Sequence, residues 1–468
     1  MFEITLTLDK KNREALYLQL YKYFKAEIQN GQIKAGMKLP SKRKLAAHLG
    51  IGLNTVDTAY QQLMAEGYVE SQLRKGFYAA DLEPISPLNE PLPVKAGMIG
   101  PQDERSKIDY NHGRVDVDSF PHAVWKKCLN NTLYLQEREM FISGDPQGEW
   151  GLRAEISSYL FQSRGVRCGA EQVIIGAGTQ YFIHLLRLLL GNERIFGLED
   201  PGFHRVRQVL RLEGAEMAFI PLDESGMNVD SLKNSEADVA YVTPSHQFPS
   251  GMIMPIARRV ELLNWAGEKK GYIIEDDYDG EFRHTGKPIP SLQGLDTNGK
   301  VIYLGTFSKS FIPTIRVGYM VLPKELACRY QENLIGYKQT VSRMIQETLC
   351  LFMKNGHWER HLNKMRTIYR KKNKVLLNAI EENFHDRVAV IGEKSGLHVL
   401  LKVKSSSSES ELIQKAASVG VKVHPTSVYH SKKVKEPTVL IGYGGLTEKE
   451  IEEGIQLLKK AWPYFDGN

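Results

Sequence analysis

The sequence predicts two domains of different class, a small N-terminal α+β domain and a larger α/β domain with a mainly parallel central sheet. The chain has 468 residues, more than one ordinary domain contains. Residues 1–79 show helical spacing of apolar residues and then a hairpin-like alternation, whereas residues 109–468 alternate strand-like apolar runs with amphipathic helical stretches. Residues 80–108 contain five prolines and no apolar period, which is typical of a semi-rigid linker.

Composition excludes several classes of protein. Hydrophobic residues make up 42% and charged residues 25% of the chain, and no stretch approaches the roughly 20 apolar residues of a membrane span. The N-terminal sequence MFEITLTLDK lacks the basic and apolar regions of a secretory signal. The cysteines are scattered and form no CxxC pair: Cys128, Cys168, Cys328 and Cys350. We therefore expect a cytoplasmic protein with no disulfide framework and no metal site.

The positive charge of the chain is concentrated near its N-terminus. Residues 1–80 hold 12 lysines and arginines against 7 aspartates and glutamates, so they carry most of the net charge of +6. Such an asymmetry favours a polyanion as the partner of the N-terminal domain. A solvated, lysine-rich helical surface is the alternative explanation if charge is considered alone.

Apolar spacing near the N-terminus predicts three helices and a hairpin, in that order. The first helix covers residues 16–30 and stops at Gly31. The second begins after an N-cap at Ser41 and ends at Gly50. The third helix, after a short turn, carries one apolar stripe: Val56, Ala59, Tyr60, Leu63 and Met64. The alternation of residues 68–78 then predicts a two-stranded hairpin with a basic tip.

The face of the third helix opposite this stripe carries short or amide side chains, which can reach phosphates or base edges in a major groove. We expect Asn54, Thr55 and Thr58 to contact DNA there. Basic residues at the start of the second helix and at the hairpin tip would contact phosphates, which fixes position without reading sequence. These residues are Arg43, Lys44, Arg74 and Lys75. The order of elements predicts a winged helix-turn-helix rather than a three-helix packing module.

The segments LPSKRKLAAHLGIGLNTVDTAYQQLMAEGY and RKGFY resemble the winged helix-turn-helix of the GntR family. Many members carry an arginine where this chain has Leu53, and some carry another where it has Asp57. Both differences remove positive charge from the surface expected to bind DNA. We therefore expect the fold to be kept and the affinity for DNA to depend on the four basic residues named above.

Strand-like runs of the larger domain each end in polar residues. The runs are residues 173–175, 194–198, 239–242, 272–274 and 301–304. In open parallel sheets, ligands bind beyond the carboxyl ends of the strands. The residues directly after the runs are therefore expected to meet at one site.

These residues include the groups that pyridoxal phosphate requires. Lys309 would form an imine with its aldehyde, and Asp276 would hold its protonated ring nitrogen. Tyr278 would bond the ring hydroxyl group, and Phe203 would cover the ring face. The phosphate would be held by a glycine turn, two hydroxyl-bearing strand ends and a cation: Gly178, Thr179, Thr306, Ser308 and Arg316. Each residue alone is more simply a turn, a cap or a solvated side chain, but their complementary roles together predict a cofactor site.

Residues 109–468 resemble the class I, or fold type I, aminotransferases. The motifs that carry this resemblance are DPQGEWGLRAEISSYL, IIGAGTQ, EDPGF, TPSHQFPSGMIMP, IIEDDYD and GTFSKSFIPTIRVGY. With its N-terminal domain, the whole chain resembles the MocR/GabR subfamily of GntR-type regulators. The resemblance implies a head-to-tail, domain-swapped homodimer that binds operator DNA and carries pyridoxal phosphate on Lys309. It also implies a small amine or amino acid as effector, joined to the cofactor as an external aldimine.

Two positions depart from the aminotransferase pattern. Phe248 stands where an asparagine usually touches the ring hydroxyl group, so His246 or Gln247 would have to compensate. Gly444 stands where aminotransferases place an arginine that clamps the substrate carboxylate. These differences disfavour efficient turnover more than they disfavour cofactor binding.

An effector pocket without that arginine would need other residues. Arg205 could pair with a carboxylate, and His246 and His424 could contribute to the pocket, although each could equally be a surface or core residue. The effector is then not an ordinary amino acid, or is bound differently, or pyridoxal phosphate itself is sensed.

The sequence therefore predicts a transcriptional regulator whose ligand state changes its affinity for operator DNA. A pyridoxal phosphate-dependent aminotransferase with a subsidiary DNA-binding module is the alternative, and steady transamination would support it. A third hypothesis is a cofactor-free domain used only for dimerisation. It predicts that Lys309→Ala changes neither operator binding nor the response to an effector.

Overall fold

A computed structural model of the protein describes residues 6, 8–9, 14–82, 107–135, 138–286, 289–432 and 436–462. The chain divides into two compact units, Met1–Gln102 and Asp103–Asn468. Most of the predicted linker, residues 80–108, lies outside the described residues. Among the helices that the structure describes, none is both long enough and apolar enough to cross a membrane.

The first unit contains the predicted helices and hairpin. Its elements are α1 (Leu16–Gln29), α2 (Lys42–Leu49), α3 (Leu53–Ala65), β1 (Val69–Gln72) and β2 (Gly76–Ala79). The Ser41 hydroxyl group caps α2 by accepting from the backbone N–H of Lys44, and Gly50 ends α2 in the left-handed conformation at φ 62°. Val56, Ala59, Tyr60 and Leu63 are buried on α3. The winged helix-turn-helix prediction is confirmed.

The second unit combines helices and strands over its whole length. Its α-helices are α4 (His122–Leu135), α5 (Trp150–Arg164), α6 (Thr179–Leu190), α7 (His204–Leu212), α8 (Val229–Lys233), α9 (Ile256–Lys269), α10 (Leu292–Leu295), α11 (Phe307–Ser310), α12 (Lys324–Asn333), α13 (Arg343–Lys354), α14 (His357–Phe384), α15 (Glu409–Ser418) and α16 (Glu448–Ala461). Its strands are β3 (Ile108–Asp109), β4 (Val173–Gly176), β5 (Phe196–Asp200), β6 (Met217–Asp223), β7 (Gly226–Met227), β8 (Val239–Val242), β9 (Tyr272–Asp277), β10 (Val301–Thr306), β11 (Gly318–Val321), β12 (Val388–Ile391), β13 (His398–Val403), β14 (Val421–Lys422), β15 (His424–Pro425) and β16 (Thr438–Gly442). Short 3-10 helices cover Glu139–Phe141, Ala170–Gln172, Pro313–Ile315, His385–Arg387 and Ser427–Tyr429.

The central sheet has the strand order β4-β11-β10-β9-β8-β5-β6-β7. Strands β10, β9, β8, β5 and β6 are parallel to one another, so the prediction of a mainly parallel sheet is confirmed. The five predicted runs became β4, β5, β8, β9 and β10. Sequence analysis missed β11, which is antiparallel and lies between β4 and β10.

Both faces of the central sheet are buried, as its continuous apolar strands require. Ile174 and Met320 pack into the apolar cluster that contains α6 side chains. Ile175 and Tyr319, their neighbours along the strands, pack on the opposite face with side chains of α5 and α13. Because the five parallel strands run in the same direction, their carboxyl ends lie along one edge of the sheet.

A second, antiparallel sheet has the order β12-β13-β16-β15. It is covered by apolar side chains from α14 and α16. Strand β3 pairs in parallel with β14, through Ile108 with Val421 and Asp109 with Lys422. This pairing fixes the segment that follows β3, which contributes to the cavity described next.

Candidate functional site

A cavity of about 230 Å³ lies at the carboxyl edge of the central sheet. It contains all the residues that the sequence predicts for cofactor binding: Gly178, Thr179, Phe203, Asp276, Tyr278, Thr306, Ser308, Lys309 and Arg316. The other lining residues are Asn111, His112, Gly113, Gln180, Arg205, Tyr241, Thr243 and Phe248. The structure thus brings the predicted phosphate, ring and imine residues to one cavity.

Lys309 lies in the short helix α11, directly after β10. Its Nζ donates a hydrogen bond to the backbone carbonyl of His112. Burial lowers the pKa of Lys309 to about 8, although the nearby Asp279 carboxylate acts in the opposite direction. A primary amine that is partly uncharged near neutral pH can attack an aldehyde, which is the property an imine-forming lysine needs.

Asp276 is the penultimate residue of β9, a strand that is buried throughout, and is 4% exposed. Tyr241, on the neighbouring strand β8, donates its hydroxyl hydrogen to Oδ2 of Asp276. The other oxygen, Oδ1, is buried and has no hydrogen-bond partner among the described residues. Burial raises the pKa of Asp276 to about 7, although the side chains of Tyr241 and Thr179 act in the opposite direction. An unsatisfied carboxylate oxygen at a cavity wall fits a protonated ring nitrogen, so the residues present fit pyridoxal phosphate.

The phosphate cradle predicted from sequence includes the turn between β4 and α6. Gly178 has φ 116° and precedes α6, whose first N–H groups face an anion favourably. The Arg316 guanidinium donates to the Ala177 carbonyl at 2.6 Å. A Cβ atom on Gly178 would lie 3.3 Å from the same guanidinium, so a larger residue would narrow the space beside this cation. Thr306 Oγ1 accepts from the Ser308 N–H at 3.1 Å, which orders the opposite side of the cradle.

Aromatic rings form another wall of the cavity. Phe203 and Phe248 meet edge to face with ring centroids 5.5 Å apart. Phe248 also contacts the rings of His112 at 5.4 Å and Tyr278 at 6.0 Å. The residue that replaces the asparagine of aminotransferases therefore supplies apolar surface to the cavity instead of an amide.

The three residues predicted to bind an effector occupy different environments. Arg205 lines the cavity and is exposed, with no ion-pair partner among the described residues. The structure does not bring His246 to the cavity wall, because its side chain is buried behind Tyr278. His424 is also absent from the lining and lies 2.9 Å from the carboxylate of Asp109.

The position of the missing carboxylate-binding arginine is closed by backbone. A Cβ atom on Gly444 would lie 2.9 Å from the carbonyl oxygen of Arg114. The carbonyl group of Gly444 accepts from Lys372 Nζ at 3.1 Å, and the same Nζ donates to Asp116 at 2.8 Å. An arginine at position 444 would therefore require the segment around Arg114 to move.

Several lining residues were missed by sequence analysis. Tyr241 gave a detectable signal, since a phenol within the apolar run VAYV needs a hydrogen-bond partner when it is buried. Asn111 and His112 gave none, because they follow a two-residue strand next to the proline-containing segment. Burial lowers the pKa of His112 to about 3, so it offers a neutral ring to the cavity.

The sequence predicts no metal site. His246, Asp279 and His398 are buried and offer ring nitrogens and carboxylate oxygens within 4.8 Å of one another. His246 Nδ1 lies 2.9 Å from Asp279, and His398 Nε2 lies 3.1 Å from the Pro249 carbonyl, whereas His246 Nε2 has no partner among the described residues. The hydrogen bond between His246 and Asp279 accounts for the closeness of these two side chains.

The predicted DNA-contacting residues lie on the surface of the first unit. Arg43, Lys44, Asn54, Thr58, Arg74 and Lys75 are exposed, and Thr55 is half-buried. The Thr58 hydroxyl group donates to the Asn54 carbonyl at 2.9 Å. Asp57 forms an ion pair with Lys42. Asp57, which departs from the family pattern, therefore also neutralises a lysine at the start of α2.

Family comparisons match both units of the chain. Residues 16–79 match bacterial regulatory proteins of the gntR family, and residues 106–458 match aminotransferases of class I and II. A helix-turn-helix of the first kind joined to a domain of the second defines a class of DNA-binding transcriptional regulator. The chain belongs to the MocR/GabR subfamily of these regulators, and pyridoxal phosphate is the cofactor of its aminotransferase-like domain.

Relatives of full length support this assignment. The HTH-type transcriptional regulator YhdI of Bacillus subtilis is 46% identical over 463 residues, which cover 98% of each chain. The probable rhizopine catabolism regulatory protein MocR of Rhizobium meliloti is 31% identical over 475 residues, covering 98% of this chain and 96% of the relative. The pyridoxine biosynthesis regulator PdxR of Corynebacterium glutamicum is 28% identical, covering 96% of each.

Solved structures show the same fold in the second unit. Kynurenine aminotransferase of Pyrococcus horikoshii has a TM-score of 0.67 at 24% identity and matches 76% of this chain and 90% of its own. An archaeal alanine:glyoxylate aminotransferase has a TM-score of 0.69 at 23% identity, with 75% and 90% matched. At this level of identity the comparison establishes the fold alone.

Proposed function

We propose that this regulator senses a small amine or amino acid, or pyridoxal phosphate itself, at Lys309, and that occupancy of the cavity changes its affinity for operator DNA. The observation that carries the proposal is the pairing of a Lys309 amine with an unsatisfied Asp276 oxygen in one cavity. Pyridoxal phosphate, when bound, supplies an electrophilic carbon and an electron-withdrawing ring. The regulator would act in the cytoplasm, where operator DNA is accessible.

The proposed roles of the residues follow from their positions. Lys309 provides the attacking amine, and its Nζ must leave the His112 carbonyl to do so. Asp276 holds a proton at the ring nitrogen through Oδ1, while Tyr241 fixes Oδ2. Tyr278 binds the ring hydroxyl group, and Phe203 covers the ring. The phosphate is bound by the cradle residues Gly178, Thr179, Thr306, Ser308 and Arg316.

An effector would meet the remaining wall of the cavity. Arg205 is the cation there that lacks an ion-pair partner among the described residues, which favours it as the contact for an anionic group. Closure of position 444 by the Arg114 backbone disfavours the clamp used by aminotransferases. The likeness to the pyridoxine biosynthesis regulator PdxR supports pyridoxal phosphate itself as the alternative signal.

A domain-swapped homodimer is part of the proposal. The subfamily resemblance supports it, and the second unit exposes large apolar side chains that a partner subunit could cover. Tyr134 and Phe141 are 79% and 77% exposed, and Trp150 is 59% exposed. Sedimentation equilibrium of the full chain tests this assembly, and a monomer at micromolar concentration would contradict it.

Binding of cofactor and amine is expected to change DNA affinity through Lys309. We would select DNA fragments from a random-sequence library with the full-length protein and measure their affinity by fluorescence anisotropy. The measurement is made without cofactor, with pyridoxal phosphate, and with a panel of primary amines added. A change in affinity that is absent from Lys309→Ala supports sensing at this lysine, whereas equal affinities in all states contradict it.

Removing a phosphate contact should flatten the salt dependence of DNA binding. Arg43→Ala is expected to reduce the slope of log affinity against log salt by about 0.9, because one fewer counterion is released. The matched control is Lys22→Ala, which also removes one positive charge but from α1, where Lys22 pairs with Glu14. Its slope should equal that of the parent protein. Equal slopes for Arg43→Ala and the parent protein would refute the phosphate-contact assignment.

A further inference from the structure

Phe248 leaves the ring hydroxyl group of the cofactor without the asparagine that aminotransferases use, and the sequence offers His246 or Gln247 instead. In the structure, the Gln247 side chain forms hydrogen bonds with other protein groups. Its Nε2 donates to the Glu199 carboxylate at 3.1 Å and to the Pro201 carbonyl at 2.9 Å. Gln247 therefore braces the turn below the cavity and is not available for a ring hydroxyl group.

His246 contacts the residue expected to bind that hydroxyl group. Its Nδ1 lies 2.9 Å from the hydroxyl oxygen of Tyr278 and 2.9 Å from Oδ2 of Asp279. The Tyr278 hydroxyl group also donates to the backbone carbonyl of His246 at 3.0 Å. Both His246 and Asp279 are 1% exposed, so this arrangement is shielded from water.

The partners assign the hydrogen on the His246 ring. An ionised carboxylate only accepts hydrogen bonds, so Nδ1 carries the hydrogen that faces Asp279. Nε2 is buried and has no partner among the described residues, which fits a bare ring nitrogen. The same Nδ1–H is within reach of the Tyr278 oxygen, because the hydroxyl hydrogen of Tyr278 points to the His246 carbonyl.

We propose that His246, held by Asp279, positions the hydroxyl group of Tyr278 for the ring hydroxyl of the cofactor. The proposal rests on the proposed function, because it requires pyridoxal phosphate in the cavity that Tyr278 lines. With the cofactor bound, the single hydroxyl hydrogen of Tyr278 turns from the His246 carbonyl to the ring oxygen. The hydrogen that Nδ1 of His246 donates to the Tyr278 oxygen polarises this O–H bond and makes it a stronger donor. His246 is thus a positioning residue that acts through Tyr278 and replaces the missing asparagine indirectly.

The strength of the Tyr278 hydrogen bond is expected to set the pH at which Lys309 Nζ loses its proton in the loaded protein. A strong donor from Tyr278 stabilises negative charge on the ring oxygen, and that charge is greatest when the attached Lys309 nitrogen has lost its proton. Weakening this donor therefore raises the pH at which the proton leaves. Other charges act on the same groups: Asp279 and Arg205 on Lys309, and Asp276, Asp277, Asp279 and Glu199 on Tyr278.

Two amide substitutions separate the two ring nitrogens of His246. His246→Asn places an amide near the position of Nδ1, whereas His246→Gln places it near Nε2. Each full-length variant is loaded with pyridoxal phosphate, and its visible absorbance band is titrated with pH. We expect the midpoint of His246→Asn to stay near that of the parent. We expect the midpoint of His246→Gln to rise by about one pH unit, in the same direction as that of Tyr278→Phe.

Combining substitutions distinguishes positioning from packing. Because His246 acts through Tyr278, adding His246→Gln to Tyr278→Phe should cause no further shift, whereas additive shifts would overturn the proposal. An equal shift in His246→Asn and His246→Gln would also overturn it. If His246→Gln does not fold, Asp279→Asn takes its place in the comparison. A parent protein without the absorbance band contradicts the proposed function. A midpoint that shifts in Tyr278→Phe but not in His246→Gln contradicts only the role of His246, and a midpoint that stays the same in Tyr278→Phe as well contradicts the role of Tyr278 too.

Discussion

Replacing Lys309 with alanine is expected to abolish covalent attachment of pyridoxal phosphate. Lys309 is the lysine that lines the cavity among the described residues. Burial lowers its pKa to about 8, so part of its amine is uncharged and nucleophilic near neutral pH. Alanine leaves no amine to react. Borohydride treatment of the loaded protein, followed by peptide mass spectrometry, should show a label on Lys309 in the parent and complete loss of it in the variant.

The matched control is Lys324→Ala, which removes an exposed lysine at the start of α12. This variant should keep the label and the absorbance band, and both variants should keep the parent's circular dichroism spectrum. A label of parental intensity on another lysine of Lys309→Ala would contradict the assignment. Unchanged DNA affinity in Lys309→Ala, with and without cofactor, would favour a domain that serves only for dimerisation.

Local chemistry made the first unit predictable from sequence. Ser41 and Gly50 mark the two ends of α2. Both ends can be read from sequence because a hydroxyl cap starts a helix and a left-handed residue stops it through contacts within one helical turn. The hairpin followed from alternation, and its Arg74 adopts φ 61° at the tip. The ion pair between Asp57 and Lys42 could not be predicted, since it joins two helices whose relative placement depends on tertiary packing.

The second unit was predictable where strand ends converge and less so elsewhere. Because ligands bind at the carboxyl ends of parallel strands, the sequence predicted that Asp276 and Lys309 lie at one site. In the structure β9 and β10 are paired in parallel, with Asp276 opposite Leu304, so that their carboxyl ends are adjacent. His112 reaches the cavity from a segment near the start of the unit, because β3 pairs with β14 more than 300 residues later in the chain. No periodicity in the sequence records such a long-range pairing.

Asp276→Asn is expected to weaken pyridoxal phosphate binding by at least about thirtyfold. The Oδ1 atom of Asp276 is buried without a partner among the described residues, and a protonated ring nitrogen would satisfy it. Removing one partner of a buried charge pair costs about 2–5 kcal/mol. Asparagine keeps the shape, and its carbonyl oxygen can take the place of Oδ2 and accept from Tyr241, so packing is preserved. Titration of the cofactor-free protein, followed by absorbance, measures the loss.

The same substitution should change how stability depends on pH in the cofactor-free protein. Burial raises the pKa of Asp276 to about 7, so the folded state holds this proton more tightly than the unfolded state does. The contribution is present at low pH and is lost as pH rises towards 7, by an amount on the order of 4 kcal/mol. Asparagine has no proton to lose.

We therefore expect Asp276→Asn to unfold at a higher temperature than the parent at about pH 8. The difference between their unfolding temperatures should vanish near pH 4. Burial also raises the pKa values of Glu275 and Glu281 to about 7, but these groups are present in both proteins and cancel in the comparison. Burial and the Asp276 charge together raise the pKa of Glu199, so the substitution lowers that pKa and adds to the expected difference in the same direction. Thermal unfolding of both cofactor-free proteins measures the difference. If the unfolding temperatures of the two proteins depend on pH in the same way, burial does not raise the pKa of Asp276. Its carboxylate would then be ionised in the cofactor-free protein without destabilising the fold.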